Sequence, residues 1–275
     1  KDGQITKISD QTETFDAQVI EGKDLIVSPT FFDPFVNFGE PGFEDRETVK
    51  NGLAVAAKGG FGDVLLQSTT QPNFDQAALV EQLLSRHADE LCRLHISGAL
   101  TVSRAGKALS ELLELNEYGV KGFSDVFQSI EDANLLKLAL LYSQKVHQPV
   151  FSFPLDSSLA DHAAVHENID TYMLGLKSMP SIAEEIRLER DVAILAYTGG
   201  KLHIPAISTK KSVEIIKKAK ADGLDITSSV AVHNICYTTE KLKNFNTNFK
   251  VYPPLRDEED RQAVIAGLRS GVIDM

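Results

Sequence analysis

The chain has 275 residues, 28 of them basic and 39 acidic, for a formal net charge of −11 with the histidines neutral. So acidic a chain, with no basic run, has no electrostatic footprint for nucleic acid, and no apolar stretch approaches the roughly 20 residues of a membrane-spanning helix. At 43% hydrophobic and 24% charged it can bury a sizeable core, and its two cysteines, Cys92 and Cys236, without CxxC spacing, build no disulfide framework and point to a reducing, cytoplasmic setting.

The length suits one large domain. Residue 1 is a lysine, and Lys1-Asp2-Gly3-Gln4-Ile5 reads as a hairpin turn already under way, with no charged leader and apolar run of a signal peptide. Over 1–24, Ile5, Ile8, Phe15, Val19 and Ile20 alternate with polar residues and turn formers, which predicts short antiparallel strands belonging to a small β appendage.

From Leu25 onward, short apolar runs alternate with amphipathic stretches. Strands are predicted to begin near Leu25, Gly62, Arg93, Val120, Pro149, Lys201 and Leu224, most of them continuous apolar or β-branched runs, as in a parallel sheet buried on both faces. Helices are predicted over 45–58, 74–90, 106–118, 129–147, 181–198, 209–222 and 257–270. In the fourth, Leu135, Leu136, Leu138, Ala139 and Tyr142 recur near period 3.6 behind the cap and acids of Ser129-Ile130-Glu131-Asp132. Pro180-Ser181 opens the fifth, Glu184 and Glu185 lie in its first turn, and Gly199-Gly200 stops it.

Seven βα repeats point to a closed eight-fold arrangement, because a seven-stranded remnant leaves two unpaired edges. The last helix ends near Ser270-Gly271, and Val272-Ile273-Asp274-Met275 reads as the approach to an eighth strand. The expectation is an α/β fold: a TIM-like (β/α)8 barrel over 25–275, its eighth strand outside the chain, which is then a piece of a larger protein. The alternative is an open doubly wound sheet, but no glycine-rich phosphate turn follows the first strand.

In such barrels, chemistry sits at the C-terminal strand ends. There, Ser28-Pro29-Thr30-Phe31-Phe32-Asp33-Pro34 and Phe38-Gly39-Glu40-Pro41-Gly42-Phe43-Glu44-Asp45 resemble the opening motif of the dihydroorotases, in the amidohydrolase superfamily. Leu202-His203-Ile204 through Ile207-Ser208-Thr209-Lys210 resembles the family's sixth-strand segment. Asn246-Thr247-Asn248-Phe249-Lys250-Val251, then Pro253-Pro254-Leu255-Arg256, resembles its long loop before the last helix. The likeness runs in register over nearly the whole chain, nearest to the type I members, and implies the metal-dependent hydrolase barrel.

Members of that family hold one or two divalent metals, usually zinc, whose bound hydroxide attacks a cyclic amide. Their first-strand pattern is Asp-x-His-x-His-x-Arg-Glu-Pro-Gly; here Asp33 is followed by Phe35 and Asn37 at the two histidines and by Gly39 at the substrate-carboxylate arginine. The fifth-strand histidine falls on Phe153, the sixth-strand histidine on Ala206 and the substrate-binding asparagine on Thr69, while the eighth-strand aspartate would lie beyond Met275. Phenylalanine and alanine offer a metal no lone pair, and asparagine is a weak oxygen donor for zinc. The expectation is no metal, no cofactor and no catalytic residue.

The resemblance then implies a pseudoenzyme of pyrimidine biosynthesis, a structural partner of aspartate transcarbamoylase, and a homodimer. The alternative is an active cyclic amidohydrolase that interconverts dihydroorotate and N-carbamoyl-aspartate, with zinc in a rearranged site drawn from Asp33, Asp125, His203, His233 and the eighth strand. A third reading is a metal-free small-molecule sensor in the old pocket. Each surviving residue also has a structural reading: Asp125 as a strand-end acid capping a backbone amide, and His203 and His233 as buried hydrogen-bonding groups. His162 and His166 have i,i+4 spacing beside Glu167, but form no His-Glu-x-x-His arrangement and fall in a connecting loop. Gly59-Gly60-Phe61-Gly62 reads as a helix stop and strand start, Cys92 and Cys236 as small strand-flanking residues, and Lys210-Lys211 with Lys217-Lys218 as a solvated helix face.

Overall fold

The structure, a computed structural model, describes residues 5, 7–10, 18–163 and 165–275. In chain order it contains β1 (Phe31–Val36), α1 (Val49–Lys58), β2 (Phe61–Leu66), α2 (Ala77–Arg86), β3 (Arg93–Ile96), α3 (Leu112–Glu117), β4 (Phe123–Ser124), α4 (Ala133–Ser143) and β5 (Val150–Phe151). There follow α5 (Ser157–Ala160), β6 (Val165–His166), α6 (Ile169–Met173), β7 (Ser178–Met179), α7 (Ile182–Thr198), β8 (Leu202–Ile204), α8 (Lys210–Ala221), β9 (Ile226–Ser228), α9 (Val232–Cys236) and α10 (Glu258–Arg269).

All seven predicted strands form, and all are parallel. One sheet runs β1-β2-β3 and a second β4-β5-β8-β9, with a single bridge, Gly98 to Phe123, between them. Apart from the β6–β7 pair, every strand lies beside its successor, so the order never reverses as it does in a doubly wound sheet. Residues of all seven strands and their leading edges, among them Phe32, Asp63, His95, Lys121, Phe151 and His203, line one open cavity of about 410 Å³. Among the described residues no ladder joins β1 to β9, so the seam is open. At that seam the Asp274 amide donates to the Ser228 carbonyl (3.0 Å) and the Val230 amide to the Met275 carbonyl (2.8 Å), which lays the last residues along β9.

The local chemistry explains the helix limits. The Thr48, Asp132 and Thr209 side chains accept from the Asn51, Asn134 and Ser212 amides, so α1, α4 and α8 start there, later than apolar periodicity alone suggests for α1 and α4. Gly59 caps α1 and Gly60 turns the chain into β2, as the glycine run predicts. One apolar layer, including Leu66, Ile96, Phe123, Val150, Leu188 and Leu202, joins strands to helices, each fully buried large side chain contributing about 1.5–3 kcal/mol.

Three expectations are corrected. The first strand begins at Phe31 rather than Leu25, because pairing starts where Phe31 meets Phe61, and Leu25, Ile26 and Val27 are exposed. The run from Leu224 yields only Ile226–Ser228, and the chain then coils into α9, so Cys236 ends a helix, exposed, instead of flanking a strand. The elements α5, α6, β6 and β7 lie inside a stretch read as loop, since two to five residues carry no periodicity. Of the expected β appendage over 1–24, residues 1–4, 6 and 11–17 lie outside the described residues, and the described remainder forms no strand. Among the described residues no helix is long and apolar enough to cross a membrane.

Candidate functional site at the C-terminal strand ends

The site is built from the turns that leave β1, β4, β5 and β8. After β4, the buried Asp125 carboxylate accepts from the Leu100 amide (3.0 Å), the Thr101 amide (3.2 Å) and the Thr101 hydroxyl. Arg104 donates to the Asp125 carbonyl (3.2 Å) and to the Val126 carbonyl. Burial pushes the Asp125 carboxyl above its ordinary pKa against the pull of these donors and of Arg104. Both of its oxygens thus serve the 100–101 segment, and the pinned turn holds out the ring of Phe127.

Phe127 meets Phe35 from β1 edge-on at 5.5 Å and Phe153 from the end of β5 at 6.1 Å. Tyr252, on the long loop before α10, stacks on Phe153 at 5.4 Å and also touches Phe127 at 6.5 Å. Four rings therefore close over the strand ends, and two of them, Phe35 and Phe153, stand at expected metal-ligand positions. Beside them, Phe153, Ala206, Tyr252, Glu184 and Arg256 border a space of only about 10 Å³, no more than one water needs.

The remaining replaced positions are engaged with each other or with backbone. The Thr69 hydroxyl donates to Asn37 Oδ1 at 2.8 Å. Ala206 has a positive φ of 54°, and its amide donates to Ser229 Oγ at 3.2 Å. Gly39 has φ +93°, and a Cβ there would lie 2.7 Å from the Phe43 carbonyl, so no side chain fits without moving the backbone. The adjoining Glu40 accepts from the Val49 amide at the start of α1 (2.8 Å) and pairs with Arg86 (3.2 Å), a structural use of the retained motif.

Asp33, Asp125, His203 and His233 do not converge. Asp33 accepts from the Phe35 amide at 2.9 Å. His203 is buried inside the strand layer, Nδ1 on Thr227 Oγ1 (2.8 Å) and Nε2 on Ser229 Oγ (3.2 Å), and burial pushes its pKa down to about 4. His233 places Nε2 3.0 Å from the Pro253 carbonyl, and burial lowers its pKa too. Among the described residues no three His, Cys, Asp or Glu side chains gather as a metal site. Tested against the family's metal, the residues present do not fit: the strand ends offer two phenyl rings, an alanine methyl, and an asparagine oxygen already bonded to Thr69.

Sequence reading missed Phe127 and Tyr252, and also a buried polar network behind the rings. Arg256 donates to Ser208 Oγ (2.9 Å) and to Glu184 (3.3 Å) and reaches His166 Nδ1 (2.9 Å). Glu184 also accepts from the Ser208 amide (2.9 Å) and from Ser212 Oγ (2.6 Å). Burial and the Arg256 charge push the His166 pKa down to about 4, so its neutral ring accepts from Arg256. His166 is thus committed to Arg256, with Asp257 at 3.6 Å, rather than paired with His162. The Pro253-Pro254-Leu255-Arg256 run was a signal for this network, but no spacing rule joins it to Glu184.

Residues 24–212 match the family described as Dihydro-orotase-like. The chain is 36% identical over 273 residues to the protein named Dihydroorotase of Caldanaerobacter subterraneus subsp. tengcongensis, covering 99% of this chain and 63% of that protein. It is 35% identical over 274 residues to Dihydroorotase of Pelotomaculum thermopropionicum, covering 100% and 64%. It thus spans a little under two thirds of these curated relatives. Among solved structures it resembles L-hydantoinase (dihydropyrimidinase) from Arthrobacter aurescens, with a TM-score of 0.75 at 15% identity over 90% of this chain and 56% of that one. D-hydantoinase (dihydropyrimidinase) from Thermus sp. gives 0.71 at 19% identity over 90% and 57%. At that identity the structures speak for the fold alone, an α/β arrangement like that of these hydantoinases. With the match of residues 24–212 and the two dihydroorotases aligned along nearly its whole length, this chain belongs to the dihydroorotase-like family.

Proposed function

We propose that this chain is a dihydroorotase-family member of pyrimidine biosynthesis that has lost the family's hydrolysis and works as a structural partner of aspartate transcarbamoylase. The observation that carries the reading is the ring cluster of Phe35, Phe127, Phe153 and Tyr252. Rings at two expected ligand positions offer no lone pair to a divalent ion, and the other two lie against them at the same strand ends. A fold and its chemistry are separable, so a barrel that has lost its site keeps surfaces on which a partner can rest. The small space left beside Ala206 speaks against the metal-free sensor as well.

A second reading is favoured by the relatives, which carry the name Dihydroorotase: an active cyclic amidohydrolase acting on dihydroorotate or N-carbamoyl-aspartate with a rearranged site. Zinc content of the full-length protein, purified without chelator and with zinc supplied, separates the two, read alongside dihydroorotate turnover. Zinc well below one equivalent per chain with no turnover, and co-purification with aspartate transcarbamoylase, is the expected result. One or two held equivalents together with turnover would establish the second reading.

A further inference from the structure

Parallel strands buried on both faces carry apolar side chains, and one layer of these sheets departs from that rule. Across the first sheet, pairing aligns Phe32 with Asp63 and Asp63 with Arg93; across the second it aligns Phe151 with His203 and His203 with Thr227. Two residues further along β2 and β3, and so on the same face, Leu65 is aligned with His95. All of these but Arg93, whose side chain is 75% exposed, border the open cavity of about 410 Å³. Lys121 and Pro149, which precede β4 and β5, line it too, so the cavity reaches the end of the strands opposite to Phe35, Phe127 and Phe153.

The polar groups of this layer are only partly matched. His95 Nε2 donates to Asp63 Oδ1 at 2.8 Å, and Arg93 lies 3.6 Å from the same oxygen. Among the described residues, Asp63 Oδ2 and His95 Nδ1 take part in no hydrogen bond, and the Lys121 ammonium has no ion pair. His203, by contrast, commits both ring nitrogens to Thr227 and Ser229 and serves as wall. The other walls are aromatic: Phe32 meets His95 edge-on at 6.5 Å, and Phe151 lies 4.7 Å from His203 on the opposite sheet. A carboxylate and an imidazole at inward positions, with atoms to spare, are the informative departure from an apolar interior.

We infer that this cavity binds a nucleoside monophosphate, its base inside and its phosphate at the mouth. Phe32 and Phe151, on different sheets, supply apolar faces for a planar heterocycle. Asp63 Oδ2 accepts from a ring or amino N–H on the base edge, and His95, whose Nε2 proton is given to Asp63, accepts a second through Nδ1. Lys121 and Arg93, at the start of β4 and β3, set two positive charges where the anionic group emerges, in a chain whose net charge is −11. A purely apolar ligand would leave the carboxylate unmatched, and a bare anion would leave the rings unused. The volume falls within the roughly 300–1,000 Å³ of small-molecule pockets, and an apolar lining with a few convergent polar groups is their usual composition. This inference does not depend on whether the opposite strand ends are active.

Isothermal titration calorimetry of the full-length protein with AMP, GMP, CMP and UMP, each to about 1 mM, provides the test, with ribose 5-phosphate as the probe that lacks a base. At least one nucleotide is expected to bind, one per chain, and ribose 5-phosphate to bind at least about tenfold more weakly. Asp63→Asn and Lys121→Ala, the second at an exposed position, are each expected to weaken that nucleotide by about tenfold or more with an unchanged circular dichroism spectrum. Asn37→Ala, at the opposite strand ends, and Lys217→Glu, exposed on α8, should leave its affinity unchanged. No binding of any of the four nucleotides, equal binding of ribose 5-phosphate, an affinity indifferent to both Asp63→Asn and Lys121→Ala in folded protein, or a loss on Asn37→Ala as large as on Asp63→Asn would overturn the assignment.

Discussion

The ring of Phe153 stacks on that of Tyr252, centroids 5.4 Å apart and planes 23° apart. Phe153 leaves the end of β5 and Tyr252 sits on the long loop before α10, so this contact ties the two together across the strand ends. Through Phe127 it continues to Phe35 on β1, so aromatic rings, Phe153 buried and Phe127 and Tyr252 partly exposed, stand where the family resemblance expects a hydrated metal.

Truncating the centre of that cluster should therefore cost what a core truncation costs. Phe153→Ala is expected to destabilise by about 3–5 kcal/mol, as buried phenylalanines do, and Tyr252→Ala by less, since Tyr252 is partly exposed. Urea unfolding reads both, with midpoints falling at unchanged slope. A Phe153→Ala midpoint equal to that of the parent would mean that the rings do not hold the loops.

Returning the ligand chemistry should not return the metal. The triple substitution Phe35→His, Asn37→His, Phe153→His leaves Gly39 and Ala206 in place and buries the imidazole at position 153 against Tyr252, where an unsatisfied polar group costs about 1–3 kcal/mol. The expected outcome is a lower melting temperature with zinc still well below one equivalent. Stoichiometric zinc in the triple variant would show that the rings alone had displaced it.

Acid should weaken the fold earlier than carboxylate titration alone would bring about. His166 and His203 have folded pKa values near 4, against an ordinary value of 6.5. Between those values the unfolded chain binds more protons than the folded one, so stability falls as pH drops from about 6.5 toward 4, by up to about 3 kcal/mol per histidine. His166 faces Arg256 and Asp257; His203 faces Thr227 and Ser229, with only the more distant Asp274 opposing the loss. The raised pKa of Asp125 acts the other way, favouring the folded state as that carboxyl protonates. Urea midpoints measured from pH 7 to 4.5 should decline, and His203→Gln should flatten the decline.

The buried pair of Glu184 and Arg256 should behave as a unit. Arg256→Met leaves Glu184 buried without its counter-charge and is expected to cost about 3–5 kcal/mol, whereas adding Glu184→Gln should recover part of that loss. A double-mutant cycle on unfolding free energies measures the coupling, and strictly additive losses would show that the two charges stand apart.

Much of this molecule was legible in its residues. Strands buried on both faces must be apolar throughout and helices packed on one side must be amphipathic, so the alternation from β2 to α10, the short elements between α5 and β7 excepted, could be read from local pattern. The residues at Phe35, Asn37, Phe153 and Ala206 could also be read directly, because whether a side chain carries a lone pair is a property of that residue alone. Tertiary structure decided what those positions touch. Phe127 and Tyr252 reach Phe153, Arg256 reaches Glu184 72 positions away, and Thr69 meets Asn37, only because the strand order brings their loops to one end. It also decided that His166 and His203 are neutral. Desolvation and contact between distant residues arise from loop closure and burial, which leave no periodic trace in the chain.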